Sequence, residues 1–342
     1  MTNPRFSVIP GAQVGQVLHG QEKRIVELIE ATYRQHGSGA TVNPPSYFLR
    51  FPDRPDARII ALPASIAGES GVDGLKWISS FPANVESGLP RASAVLILND
   101  PVTGYPFACL ESSIISATRT AASAALAADW LSRERGRPAR VGFVGAGLIA
   151  RYIHTYLAGI GFAFETIGVH DVNPSHARGF CGYLDDADHQ ASIVLHDRVE
   201  DLVRSCDLVV FATVAGTPHI SDPSWFGHSP IVLHVSLRDL APEVILSAAN
   251  IVDDVEHCLK ADTSVHLTEQ LVGNREFLDG TLYDVMTGRV RPPSDKPVVF
   301  SPFGLGVLDL AVGAHVHHQL RQSGELGHVD GFFHELDRYG KN

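Results

Sequence analysis

Hydrophobic and polar positions follow two different patterns along this chain of 342 residues. In the second part, short apolar runs alternate with segments of helical periodicity, and this alternation is typical of an α/β fold with a doubly wound parallel sheet. The predicted strands are residues 141–144, 166–170, 192–195, 208–211, 231–235 and 251–252.

The first part of the chain has a different pattern of hydrophobic and polar positions. Residues 21–36 predict an amphipathic helix, and residues 47–50, 58–62 and 75–79 are short strand candidates that suit a mixed or antiparallel sheet. Residues 94–98 and 106–110 flank a loop rich in turn formers, so they predict a hairpin. An alanine-rich helix over residues 113–133 then leads into the second part.

After an irregular loop at residues 289–297, a helix over residues 306–320 is predicted to return to the first domain. The fold class is therefore α/β, with a doubly wound parallel sheet of the Rossmann type and a second, α+β domain. We expect the α+β domain to comprise residues 1–129 with 311–342, and the parallel-sheet domain to comprise residues 130–310.

A glycine motif opens the second domain. The apolar run that ends at Val144 leads directly into a G-x-G-x-x-A turn and a helix, as in dinucleotide-binding domains. The first glycine allows the tight turn, the second leaves room for a pyrophosphate, and the helix start binds the anion. The predicted cofactor-binding residues here are Gly145, Ala146, Gly147, Leu148 and Ile149.

The next predicted strand ends at Asp171, where such domains carry the acidic residue that hydrogen-bonds the adenosine ribose. A carboxylate there repels a 2′-phosphate, and no arginine follows it directly, so the sequence favours NAD over NADP. Loops at the carboxyl ends of later strands also face the dinucleotide. They add the predicted cofactor-binding residues Thr213, Val214, Ala215, Ser236 and Leu237.

Composition narrows the function classes. The net charge of −11 and the absence of a basic run argue against a nucleic-acid surface. No apolar run approaches membrane-spanning length and no signal-peptide pattern is present, so we expect a cytoplasmic protein with no membrane partner. The four cysteines form no C-x-x-C pair, and the histidines at 315, 317 and 318 lack an evident further ligand, so no metal site is expected.

Four polar residues interrupt apolar or turn-like settings. Arg50 and Lys76 lie in predicted strands, Arg119 lies in the small-residue helix, and Asp239 follows a strand of the parallel sheet. Taken singly, each has an ordinary structural explanation, such as an ion pair or a helix cap. Together, three cations and one carboxylate suit a substrate with several carboxylates and a step of proton transfer.

These residues carry a family resemblance. The segments Gly74-Leu-Lys76, Ala117-Thr-Arg119-Thr-Ala-Ala, Gly145-Ala-Gly147 and Ser236-Leu-Arg-Asp239 together resemble the ornithine cyclodeaminase and mu-crystallin superfamily, over nearly the whole chain. Within it, the segments around Asp239 and His257 most resemble one branch, the N-(2-amino-2-carboxyethyl)-L-glutamate dehydrogenases. That branch makes 2,3-diaminopropionate for siderophores and peptide antibiotics.

The resemblance implies NAD-dependent oxidation of a secondary amine, which releases L-2,3-diaminopropionate and 2-oxoglutarate. It implies that Arg50, Lys76 and Arg119 bind substrate carboxylates, that Lys76 either binds a carboxylate or passes a proton, and that Asp239 is the catalytic base. It also implies a homodimer built through the first domain. His257 either contacts substrate or cofactor, or is a structural histidine beside two acids.

Two alternatives stay open. The first alternative is another enzyme of the superfamily, either an ornithine cyclodeaminase or a different amino-acid dehydrogenase or ketimine reductase. Arg238, beside Asp239, would be a poor neighbour for the cationic end of ornithine, and this argues against cyclodeamination. The second is a binding protein like mu-crystallin, against which the joint presence of Lys76, Arg119 and Asp239 argues.

Overall fold

The computed structural model describes residues 4–68, 71–187 and 190–334. The chain divides into two compact units, which are unit 1 (Met1–Arg119 with Leu305–Asn342) and unit 2 (Thr120–Gly304). In chain order the strands are β1 (Ser7–Ile9), β2 (Thr41–Val42), β3 (Tyr47–Phe51), β4 (Arg54–Ile66), β5 (Val72–Ser80), β6 (Ala92–Asn99), β7 (Pro106–Glu111), β8 (Arg140–Val144), β9 (Thr166–His170), β10 (Ser192–Leu195), β11 (Leu208–Phe211), β12 (Ile231–His234), β13 (Ala249–Val252), β14 (Leu278–Thr281) and β15 (Val298–Ser301). The helices are α1 (Gly11–Leu18), α2 (Glu22–Gly37), α3 (Ser113–Ser132), α4 (Leu148–Gly159), α5 (Pro174–Ala187), α6 (Val199–Ser205), α7 (Pro242–Ser247), α8 (Val255–Cys258), α9 (Ser264–Val272), α10 (Leu282–Met286) and α11 (Gly306–Ser323).

Unit 1 is built on a mixed sheet in the order β1-β7-β6-β5-β4-β2, with β3 also paired to β4. Strands β3 to β7 pair antiparallel, as the sequence predicts for this part, and the predicted hairpin is β6 with β7. Helix α2 is the predicted amphipathic helix, and its apolar stripe is buried at Ile25, Ile29 and Tyr33. Helix α1 was not predicted, because two glycines in eight residues lower its helix propensity.

Helix α11 packs against β4, β5 and β6 and closes one face of this sheet. Two glycines allow the close approach. A Cβ on Gly74 would lie 2.3 Å from the carbonyl oxygen of Ile97 and 2.7 Å from Leu310, and one on Gly313 would lie 2.2 Å from Leu96. The free side of Gly74 is therefore filled by helix α11 and leaves no space for a ligand.

Unit 2 contains a parallel sheet in the order β10-β9-β8-β11-β12-β15-β13-β14, within the described residues. This confirms the predicted doubly wound sheet and the α/β class. Strands β14 and β15 were not predicted, and β15 lies between β12 and β13 although it follows both along the chain. Its four residues are all buried, so the continuous apolar run had no alternation to mark it as a strand.

Candidate active site

The glycine turn of unit 2 has the geometry of an anion site. Gly145 has a φ of +93°, and a Cβ there would lie 2.7 Å from the carbonyl oxygen of Ala212. Gly147 precedes α4 without a side-chain cap, and a Cβ on it would meet no atom within 4 Å. The backbone N–H groups that begin α4 are therefore accessible to a ligand, which suits a pyrophosphate. Ala150 is fully buried where α4 meets the sheet.

Asp171 supports the same turn from the end of β9. One carboxylate oxygen accepts a 2.8 Å hydrogen bond from the backbone N–H of Ala146, and the other accepts one of 2.8 Å from that of Asn173. The side chain is 14% exposed, so it can still contact a ligand. The neighbouring Val172 and Leu148 expose 95% and 55% of their surface, which leaves apolar surface beside the turn.

Asp239 is the centre of a second constellation in unit 2. Its side chain is fully buried at the carboxyl ends of β11 and β12. The Thr213 hydroxyl donates a 2.5 Å hydrogen bond to one carboxylate oxygen, and the Ser236 hydroxyl donates to the other. Nε2 of the half-exposed His219 lies 3.8 Å from the first oxygen. The structure thus brings the predicted residues Thr213, Ser236 and Asp239 together.

His234 lies beneath this group and was not predicted. The backbone N–H of Asp239 donates to its Nε2 at 3.1 Å, while Nδ1 lies 3.2 Å from the hydroxyl of Ser301. Because Nε2 accepts, the neutral ring carries its proton on Nδ1 and donates it to Ser301. The buried ring therefore fixes the backbone at Asp239. A lone histidine inside an apolar strand was the available sequence signal.

The pKa of Asp239 results from opposing effects. Burial raises it, whereas the side chains of His234, Ser236 and Thr213 lower it, and the net effect is a pKa below the ordinary value. Since the backbone bond at Nε2 leaves neutral His234 no proton for the carboxylate, we ascribe the lowering chiefly to the two hydroxyl groups. Asp239 is therefore a carboxylate at neutral pH and can accept a proton.

The turn before Asp239 is strained. Leu237 has a φ of +76°, which is rare for a residue with a branched side chain. Arg238 donates to the backbone carbonyls of Ala261 and Asp262, at 2.5 and 3.1 Å. Its guanidinium is thus held by backbone carbonyls, which do not neutralise its charge, and its effect on ornithine stays a prediction.

Unit 1 contains a buried ion cluster. Nζ of Lys76 donates to one carboxylate oxygen of Asp309 at 2.6 Å, and Nε of Arg119 donates to the other at 3.3 Å. Lys76 and Asp309 are buried, and the Arg119 side chain is 12% exposed. The hydroxyl of Ser116 lies 3.4 Å from Nζ of Lys76 and 3.5 Å from Nη2 of Arg119. The structure thus joins Lys76 and Arg119 through Asp309, which is not among the predicted residues.

This cluster keeps donors for a ligand. Lys76 has three N–H donors, of which two point at protein oxygens, and Nη1 of Arg119 has no partner among the described residues. Burial and the neighbouring Arg119 cation lower the pKa of Lys76, Asp309 raises it, and the outcome is a pKa of about 8. A lysine with such a pKa can bind a carboxylate or exchange a proton near neutral pH.

Arg50 is not joined to this cluster. It is exposed on β3, where its guanidinium lies 5.3 Å from the ring centre of Phe48. The strand register places Arg50 on the same face as Lys76 but two strands away and four positions along, or roughly 16 Å between Cα atoms. Its substrate-binding role stays a prediction.

His257 is buried in unit 2. Its Nδ1 lies 2.8 Å from a carboxylate oxygen of Asp254, which also accepts the backbone N–H of His257 and caps α8. The geometry therefore matches the structural reading of this histidine, and its contact with a ligand stays a prediction.

Histidines of α11 have partners other than metal. Nε2 of His315 lies 3.1 Å from the side-chain oxygen of Gln21, and His317 packs edge-on against Phe107. In the part of the chain that the structure describes, no group of three or more potential ligands is arranged around a metal ion. In the same part, no helix is long and apolar enough to cross a membrane.

A doubly wound sheet with this glycine turn and Asp171 defines a dinucleotide-binding oxidoreductase fold, joined in one chain to an α+β unit. The sequence model of the ornithine cyclodeaminase/mu-crystallin family matches residues 12–324, and the chain belongs to that family.

The chain is similar to several dehydrogenases and reductases. The chain is 28% identical to N-((2S)-2-amino-2-carboxyethyl)-L-glutamate dehydrogenase of Staphylococcus aureus, over 78% of this chain and 80% of that protein. It is also 28% identical to alanine dehydrogenase of Archaeoglobus fulgidus, over 84% and 88%. The fold matches that of Thermococcus litoralis Δ1-pyrroline-2-carboxylate reductase, solved with NADH and L-proline, with a TM-score of 0.86, 21% identity, and coverage of 95% and 100%.

Proposed function

We propose that this member of the family, an NAD-dependent amino-acid dehydrogenase or reductase, oxidises N-(2-amino-2-carboxyethyl)-L-glutamate. The substrate, NAD+ and water give L-2,3-diaminopropionate, 2-oxoglutarate, NADH and a proton. The single observation that carries the proposal is the buried cluster of Lys76, Arg119 and Asp309, because it combines two cations with donors left for a ligand carboxylate. The S. aureus relative, at 28% identity, supports this choice of substrate.

The residues of unit 2 fit the cofactor. The N–H groups that begin α4 would bind the pyrophosphate, for which Gly147 leaves space, and Asp171 would accept hydrogen bonds from the adenosine ribose. When bound there, NAD+ would supply the acceptor for the hydride that the substrate carbon loses. The carboxylate at Asp171 also disfavours the 2′-phosphate of NADP by charge repulsion.

The chain's own residues supply binding and proton transfer. Arg119 and Lys76 bind one substrate carboxylate, and the planar fork of Arg119 suits that geometry. Asp239 accepts a proton from the substrate amine or from the attacking water, since its hydroxyl partners keep it ionised. The exposed Arg50 binds a more distant carboxylate.

The other sheet face of unit 1 supports the proposal of a homodimer. Tyr47, Ala61, Trp77 and Val95 lie side by side in register across four strands. Of these, Tyr47 exposes 69%, Trp77 41% and Val95 40% of its surface. Helix α11 meets the opposite face of the sheet, at Gly74 and Lys76, and a contiguous exposed apolar row of this kind is typical of a protein interface. We propose a second copy of unit 1 as its partner.

The test is the appearance of NADH, followed by its near-ultraviolet absorbance, with purified protein, NAD+ and each of four amino acids. These are N-(2-amino-2-carboxyethyl)-L-glutamate, L-alanine, L-glutamate and L-ornithine. We expect turnover with the first alone, with 2-oxoglutarate as a product. Turnover of L-alanine would indicate an alanine dehydrogenase, as in the A. fulgidus relative. Formation of proline and ammonia from L-ornithine would indicate an ornithine cyclodeaminase. Binding without turnover of any of them refutes the enzymatic proposal.

A further inference from the structure

Asp309 has an unusual position for a charged residue. It lies in the first turn of α11 within the apolar run Gly306-Val-Leu-Asp-Leu-Ala-Val, and its side chain is fully buried. Both carboxylate oxygens are used, one by Lys76 and the other by Arg119. Burying three charges is costly unless they pair with good geometry, so a purely structural purpose would be served as well by apolar residues.

Among the described residues, Asp309 is the only acidic group that acts on the charge of Lys76. On the sheet its neighbours in register are Leu62 on β4 and Leu96 on β6, which are apolar. The charged groups that face its ammonium are Arg119 from α3 and Asp309 from α11, and Ser116 adds a neutral hydroxyl. Asp309 is thus what allows a second cation to exist beside Arg119.

We propose that Asp309 is a positioning residue that holds Lys76 and Arg119 side by side and leaves the cluster one net positive charge, matched to one substrate carboxylate. The charge follows by counting two cations against one anion. The inference rests on the proposed function only for its catalytic consequence. Any further carboxylate of a substrate must then be bound by other cations, such as Arg50.

The glycine contacts of α11 support the positioning role. A side chain on Gly74 would collide with Ile97 and with Leu310 of α11, and one on Gly313 would collide with Leu96 of β6. The helix therefore packs closely on the sheet in one position. This packing fixes Asp309 opposite Lys76, with 2.6 Å between Nζ of Lys76 and a carboxylate oxygen of Asp309.

The test uses Asp309→Asn, with Asp309→Glu as the variant that keeps the charge. The chain has five lysines, so labelling the lysine Cε with carbon-13 gives few NMR signals, and Lys76→Met assigns that of Lys76. In the unaltered protein we expect a titration midpoint of Lys76 at about 8. In Asp309→Asn, loss of the attractive charge moves it down by roughly 1 to 3 units.

The catalytic readout is the split between KM and kcat. With Lys76 deprotonated near neutral pH, KM in Asp309→Asn rises roughly tenfold or more, and kcat changes less. Asp309→Glu keeps the midpoint near that of the unaltered protein but raises KM, because its longer side chain displaces the two cations. Asp129→Asn is the matched control, since Asp129 pairs with Arg133 and Arg137 at the surface, and it leaves midpoint and KM unchanged.

An unshifted Lys76 midpoint in Asp309→Asn overturns the inference and leaves Asp309 a stability residue. If Asp309→Asn does not fold, Asp309→Glu decides, and an unchanged KM in that variant overturns the positioning role. Because the NMR titration needs no substrate, a shifted midpoint without turnover of any amino acid refutes the proposed function and leaves the charge-setting role of Asp309 standing.

Discussion

Replacing Thr213 by valine tests the chemistry of Asp239 with little change of shape. The Thr213 hydroxyl donates a 2.5 Å hydrogen bond to the buried carboxylate and accepts one of 3.1 Å from the backbone N–H of Ala215. Valine removes both. A hydrogen bond to a charged group contributes about 1.5–3 kcal/mol, which we take as the loss of carboxylate stabilisation.

That loss converts into a pKa shift. At about 1.4 kcal/mol per unit, the pKa of Asp239 rises by roughly 1 to 2 units in Thr213→Val. Because the ionised form is the proposed base, the acidic limb of kcat/KM moves to higher pH by the same amount. The folded-state pKa is lowered, so its stabilisation is present above the unfolded-state pKa and is lost as pH falls through the folded-state value.

Two assays read this change. NADH formation against pH gives the acidic limb, and urea unfolding near neutral pH gives a loss of about 1.5–3 kcal/mol that shrinks towards acidic pH. Thr213→Ser keeps the hydroxyl and retains the limb. Thr287→Val removes a hydroxyl that donates to helix carbonyls and accepts a hydrogen bond from Nε of Arg289, and it leaves the limb in place. An acidic limb unchanged in Thr213→Val would refute Asp239 as the base that this bond stabilises.

Four further variants address the other assignments. Asp171→Ala should weaken binding of NADH and reduce discrimination against NADPH, as measured by titration of the fluorescence of these reduced cofactors, and unchanged NADH affinity would remove its ribose role. Asp239→Asn should bind cofactor and lose most turnover, so full activity would exclude it as the acid–base residue. Arg119→Lys should raise KM strongly in steady-state kinetics, because a point charge cannot replace the bidentate fork, and an unchanged KM would contradict the clamp. Trp77→Asp should convert the expected dimer to monomer in light scattering, and a retained dimer would place the interface elsewhere.

Local features of the fold were predictable from the sequence because their causes are local. The turn at Gly145 requires a positive φ and a strand before it, and both requirements are visible within a few residues. Asp171 follows from its place after the next strand. By contrast, β15 joins the sheet between strands that precede it along the chain, and no pattern within its four residues specifies that neighbour.

In the candidate site, too, single residues were predictable from the local sequence, whereas their contacts were not. Lys76 and Arg119 were selectable because each interrupts an apolar or small-residue segment, but their common partner lies 233 positions after Lys76. An acid within the apolar start of α11 was the signal for Asp309, and only the packing of α11 on the sheet shows what that acid does. The Thr213 hydroxyl was assigned to the cofactor loop, and its bond to Asp239 depends on the adjacency of β11 and β12.

The order of segments along the chain has a consequence for biosynthesis. Unit 2 is one continuous segment, whereas the sheet of unit 1 is closed by α11, which the ribosome makes after the whole of unit 2. Because domains generally fold as they emerge, unit 2 should become protease-resistant first. Until α11 arrives, the nascent sheet carries Lys76 on an uncovered face without its counter-ion. Stalled chains that end before residue 305 should therefore show a folded second unit and a first unit that depends on chaperones.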